Sequence, residues 1–124
     1  GVSHTELLLD DRKKITIVEV AGRMGGDFIG STLTELSTGI DILKASIQVS
    51  LGWEPDLKLR SKKHFAGIHF ITQNRPWVRN FINSQVSDIY RYEIFQEDMA
   101  DVNSSEDRSG YFIYKSDRKI SYGK

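Results

Sequence analysis

Gly22, Gly25 and Gly26 stand just after a strand-like run, Ile15-Thr16-Ile17-Val18-Glu19-Val20, and just before a helical pattern. A loop so placed brings backbone amides close to a helix N-terminus, where they bind a carboxylate or a phosphate. It lacks the Gly-Lys-Ser/Thr ending of a Walker loop, and its glycines do not follow the Gly-x-Gly-x-x-Gly spacing. Asp27, at the expected cap position, would compete with an anion for the same amides. A tight strand-to-helix turn is the alternative, since it draws on the same conformational freedom of glycine.

Other chemistries find less to work with. His64 and His69 are five positions apart on an expected strand and so point to opposite faces, while His4 falls in an N-terminal leader; no metal site is expected. The absence of cysteine removes thiol nucleophiles, thiolate ligands and disulfides. No Gly-x-Ser-x-Gly elbow is present, and no serine has an evident histidine and carboxylate beside it. Carboxylates are plentiful, but many crowd an acidic stretch from Glu97 to Ser109, where solvated charge is the ordinary explanation. The reading is therefore non-enzymatic, with no catalytic residue and no cofactor, and a small ferredoxin-like enzyme comes only third.

The elements around the loop follow from periodicity. Asp27 caps an expected helix whose apolar residues Ile29, Leu33, Leu36 and Ile40 recur at helical spacing, and Gly39 suits a left-handed stop. Leu43, Ala45, Ile47, Val49 and Leu51 alternate with polar residues, which predicts a strand with one buried face. A third strand is expected from His64 to Thr72. A second helix follows, with Pro76 in its first turn, Asn74 as a possible cap and an apolar stripe through Trp77, Val78, Phe81, Ile82 and Val86. A fourth strand spans Ile89 to Gln96 with Tyr90, Tyr92 and Ile94 inward. The order βαββαβ predicts an α+β, ferredoxin-like domain over residues 14–96: a four-stranded antiparallel sheet with two helices on one face. Residues 1–13 read as a leader or edge segment, 97–109 as a mobile acidic loop, and 110–124 as a C-terminal strand or hairpin.

Composition sets the outer limits. The 124 residues are enough for one domain, and 17 basic residues balance 17 acidic ones, so no overall field draws the chain to nucleic acid or an anionic membrane. No apolar stretch approaches the roughly 18 to 20 residues that span a bilayer, and no signal-peptide core is present; a cytoplasmic or other intracellular chain without membrane contact is expected. A start at Gly1 and a stop at Gly123-Lys124 suggest a processed chain, a domain cut from a larger protein, or an expression scar.

Two family resemblances sharpen the function. The run Ile15 to Val20, the glycine turn, the helix, and Gly39-Ile40-Asp41-Ile42 ahead of the next strand resemble the first half of an ACT domain, with Gly26 in the position of its turn glycine. The resemblance implies a regulatory module that pairs as a homodimer and binds an amino-acid-like effector. Arg23, Met24, Gly25, Gly26, Asp27 and Phe28 would line the ligand site, with Ile40, Asp41 and Ile42 on the adjoining surface. The segment Lys63-His64-Phe65-Ala66-Gly67-Ile68-His69-Phe70 is similar to the third strand of an RNA-recognition motif. That similarity implies a protein-protein or RNA-binding module on the open sheet face, with Phe65 stacking on a base and Lys58, Arg60, Lys62 and Lys63 meeting phosphates. Strand one has no stacking aromatic, so nucleic acid is not the expected partner.

Overall fold

The computed structural model describes residues 1–59, 64–84, 87–96 and 104–119. These residues form an α+β chain with a two-stranded and a three-stranded antiparallel sheet, not one four-stranded sheet. Two compact units share them: Gly1–Glu35 with Gly39–Arg60, and Leu36–Thr38 with Ser61–Lys124.

In the first unit the expected leader supplies a strand. β1 (His4–Leu9) pairs with β2 (Ile15–Ala21) in a hairpin. Asp10 closes the turn: its Oδ1 accepts from the N–H groups of Arg12 (2.9 Å) and Lys14 (2.8 Å), and Lys13 takes the left-handed conformation at φ 62°. Six pairs fix the register, with a bulge that leaves Val18 unpaired between Leu7↔Ile17 and Glu6↔Glu19. Directly opposed residues share a face. One face therefore carries Thr5, Leu7, Leu9, Ile15, Ile17 and Val20, and the other carries His4, Glu6, Leu8, Thr16, Glu19 and Ala21.

After the glycine loop comes a π-helical turn (Ile29–Leu33) that runs into the short helix α1 (Thr34–Thr38). Asp27 is not its cap. Asp27 and Phe28 both hold positive φ (48° and 64°), Phe28 occupies the cap position without a side-chain bond, and the chain enters the helix with i−5 hydrogen bonds such as Leu33 N–H to Phe28 O (2.9 Å). Gly39 is the left-handed stop that was expected, at φ 75° with its N–H on Glu35 O (2.7 Å).

The segment expected as the second strand is the helix α2 (Ile42–Ser50). Its two ends explain why. Asp41, extended at φ −76° and ψ 92°, accepts the Lys44 N–H at 2.9 Å, and Gly52 at φ 75° closes the other end. There the Trp53 N–H reaches Gln48 O (2.8 Å) and the Gly52 N–H reaches Val49 O (3.0 Å), a Schellman arrangement. Between such caps the residues Ile42, Ala45, Ser46 and Val49, at helical spacing, share one side of a small cavity with Pro55 and Leu57. Period two and this helical stripe overlap at Ala45 and Val49, which is what made the alternation misleading. The element that the ACT resemblance placed after Ile42 as a strand is thus helical.

The second unit holds the sheet β3 (Phe65–Ile71), β5 (Gly110–Ser116), β4 (Ile89–Ile94), in that spatial order, with α3 (Trp77–Asn83) packed on it. The expected C-terminal strand is therefore the central one, and Tyr111, Phe112 and Ile113 are buried on both of its faces. Ile71, Val78, Ile82 and Phe112 form the core, flanked by Trp77, Phe81, Ile89, Ile94 and Tyr114. Pro76 itself takes the cap position of α3, so Asn74 does not, while Val86 lies outside the described residues. Tyr90 and Tyr92 are exposed, because β4 is an edge strand with a register shift between Ile89 and Arg91. In the acidic segment, residues 97–103 lie outside the described residues, but 104–109 are built into the fold. Ser109 is buried, donates to Ile71 O (3.1 Å) and accepts from the Phe95 N–H (2.9 Å). Arg108 lies over the Phe70 ring at 3.8 Å. Among the described residues no helix is long and apolar enough to cross a membrane.

Candidate functional site at the glycine loop

The loop that leaves β2 packs tightly enough to need its glycines. A Cβ on Gly30 would come within 2.7 Å of Met24 Cβ, and one on Gly25 within 3.1 Å of Ile29 Cβ and 3.2 Å of His4 Cδ2. The result is a concavity of about 350 Å³ lined by Met24, Gly25, Gly26, Asp27, Phe28, Gly30 and Ser31. Five of the residues expected at a ligand site, Met24 to Phe28, therefore meet in one place. Arg23 stands beside them, donating through Nη1 to Met24 O at 3.1 Å. Ile40, Asp41 and Ile42 do not join them: Asp41 caps α2 and lines a different cavity with Glu35 and Lys44, Ile42 belongs to the small apolar cavity along α2, and Ile40 lines none of the three.

The hairpin adds residues that sequence reasoning passed over. Glu6 lies directly opposite Glu19 on the face that also carries His4. Two carboxylates opposed across a strand pair repel each other, and Arg23 stands beside one of them, its Nη2 3.9 Å from Glu19 Oε1. Both side chains of that pair are more than half exposed, at 63% and 56%, so the contact is weak, and the Nη1 bond to Met24 O is what ties the guanidinium to the loop. His4 thus lies beside Gly25, Glu6 opposite Glu19 and Arg23 beside Glu19, on the strand face next to the glycine loop, while the recess itself is lined by the loop residues. The signal for this was present in Ile17-Val18, two successive apolar residues in an otherwise alternating strand, which marks the bulge that brings Glu19 round to Glu6.

Elsewhere less is assembled. Among the described residues no group of three potential metal ligands forms. A wider groove along β4, lined by Ile82, Tyr90, Arg91 and Tyr92 among others, is open, and its cation already sits 3.5 Å from Glu93. Phe65 itself is exposed, but the face it belongs to is covered further along β3. Phe65, Gly67, His69 and Ile71 share the side that packs on α3, where His69 meets Trp77 edge-on (centroids 5.1 Å apart) and a Cβ on Gly67 would fall 2.6 Å from Tyr114 Cε1. Of the expected phosphate contacts, Arg60, Lys62 and Lys63 lie outside the described residues.

No protein-family model matches the chain, and no curated protein matches it. Solved structures do. An L-amino acid ligase from Bacillus licheniformis is similar in fold over 97% of this chain and 31% of its own, with a TM-score of 0.63 at 20% identity. Phosphoribosylglycinamide synthetase from Anaerococcus prevotii is similar over 94% of this chain and 32% of its own, with a TM-score of 0.64 at 19% identity. The chain thus spans about a third of the length of each. The non-enzymatic reading is corrected by these neighbours: nearly the whole chain folds as a portion of two bond-forming enzymes.

Proposed function

We propose that the chain is the part of an ATP-grasp-type ligase that handles the nucleotide's phosphates and presents a second, carboxylate-bearing substrate at the glycine loop. The observation that carries it is the opposition of Glu6 and Glu19 beside Arg23 and the loop, on a fold shared with a ligase and a synthetase. A ligase drives bond formation by cleaving a phosphoanhydride, so its site needs an anchor for polyphosphate and for the accompanying cation. Two carboxylates of hard oxygen donors fit Mg²⁺, which is ordinarily held by one or two carboxylates together with substrate phosphates. When bound, the ion neutralises phosphate charge and orients the phosphoryl group. Glu6 and Glu19 would hold the ion, which would relieve their mutual repulsion, and Arg23 would be left to meet a phosphate or carboxylate oxygen. The recess from Met24 to Ser31 receives the second substrate, whose amino-acid-like character is supported by its size and by the L-amino acid ligase likeness.

Mn²⁺ in the presence of ATP tests this, because its paramagnetism broadens nearby amide signals even when binding is weak. Signals of residues 5–7 and 18–20 are expected to broaden. Glu19→Gln or Glu6→Gln should weaken the effect about tenfold, the equivalent of one charge-assisted contact. Uniform broadening, or none, overturns the proposal. An L-amino acid that raises the melting temperature without nucleotide, and equally in Glu19→Gln, favours the regulatory reading of the same recess.

A further inference from the structure

We propose that His4 is a specificity-determining residue that touches the second substrate at the junction between the carboxylate pair and the glycine loop; this rests on the ligase reading above. The placement comes from two independent observations. Strand register puts His4 two residues from Glu6 on the same face and directly opposite Ala21. Loop packing puts its ring against Gly25, with Cδ2 only 3.2 Å from where a Cβ would stand. The imidazole is thus enclosed by the two smallest side chains available, alanine across the strand pair and glycine beneath. The ring and Ile29 together close over Gly25, and the rest of the imidazole stays partly exposed at the edge of the loop.

His4 is half-buried, and its ring nitrogens are engaged by no hydrogen bond among the described residues. A histidine held by carbon contacts with its nitrogens uncommitted is suited to meet a ligand oxygen, since one nitrogen donates and the other accepts in the neutral ring. On one side of it lies the Glu6–Glu19 pair, where phosphate and cation belong. On the other lies the Met24 to Ser31 recess, where the second substrate belongs. A group at this junction meets the substrate's carboxylate as it approaches the phosphoryl group. Gly25 in turn is required because any side chain there would push the ring from that position.

The ring signals of His4, assigned by their loss in His4→Gln, report the contact. L-alanine and acetate, added singly to the protein with Mg²⁺ and ATP, are the carboxylate sources; glycinamide is the control that lacks a carboxylate. At least one carboxylate is expected to move the His4 ring signals while glycinamide does not. Gly25→Ala, which crowds the ring, should reduce that movement. His4→Ala should weaken carboxylate binding by about tenfold, and His4→Gln, whose amide also donates and accepts, should recover part of the loss. Ring signals unmoved by either carboxylate, or moved equally by glycinamide, overturn the role of His4. Failure of the Mn²⁺ broadening itself overturns the ligase reading instead, so the two failures are distinct.

Discussion

His69 shows how one half-buried side chain ties pH to stability. Its ring stacks on Tyr114 (centroids 5.8 Å apart, 17° between planes) and meets Trp77 edge-on, so burial disfavours the charged form, and Arg75 adds to this. Both effects hold its pKa below the ordinary 6.5. The unfolded chain then takes up a proton before the folded one does. The stabilising contribution is complete above pH 6.5 and is lost as pH falls through the depressed folded value. Melting temperature should fall on going from pH 7.5 to pH 5, and His69→Phe, which keeps an aromatic ring in the stack, should flatten that part of the profile. An unchanged slope in the variant would assign the acid sensitivity to other groups. Gly30 acts at the same scale without charge: Gly30→Ala sets a methyl carbon 2.7 Å from Met24 Cβ, and a loss of about 1–3 kcal/mol in urea denaturation is expected from the overpacking.

Among the elements, α2 depends on its ends more than on its interior. Apart from Ala45 its apolar residues are partly or largely exposed, Ile47 at 61%, so the Asp41 cap and the Gly52 stop carry much of its definition. Asp41→Ala should cost about 1 kcal/mol and lower the helical circular dichroism, whereas Asp41→Asn should keep most of both. The same element explains how far the sequence could be read. β2, β3, α3 and β4 were legible because their patterns suited one period only, and Gly39 was legible because a left-handed residue was needed there. Residues 43–51 suited both periods, and the deciding information lay in Asp41 and Gly52, outside the alternating run. β5 was legible as a strand but not as the central one, since sheet order depends on contacts distant in sequence. At the site, Met24 to Phe28 could be picked out by glycine content, but the Glu6–Glu19 pairing needed the hairpin register.

At the scale of the molecule, the hairpin presents a face that the described residues leave bare. Leu7, Leu9, Ile15, Ile17 and Val20 are each at least half exposed, and a two-stranded ribbon alone is marginally stable in water. The chain's similarity to about a third of two longer enzymes is in keeping with a surface of this kind. The chain on its own should therefore bind the apolar dye ANS. Replacing Leu7 and Ile17 with threonine, which keeps strand propensity, should remove much of that signal without altering the near-ultraviolet spectrum of the Trp77 and Phe112 cluster. Dye binding that survives the double replacement would place the exposed apolar surface elsewhere.

Val18 gives the hairpin its sense of which side is which. Strand residues alternate with a period of two, so one supernumerary residue shifts the phase of everything beyond it by half a cycle. Before Val18, β2 sends Ile15 and Ile17 to the apolar side; after it, Glu19 and Ala21 appear on the side of His4 and Glu6. Were Val18 drawn into the ladder opposite Glu6, the composition would be untouched and the strands still able to pair, yet Glu19 would turn away from Glu6. In this ribbon it is the valine left out of the pairing that keeps Glu19 opposite Glu6.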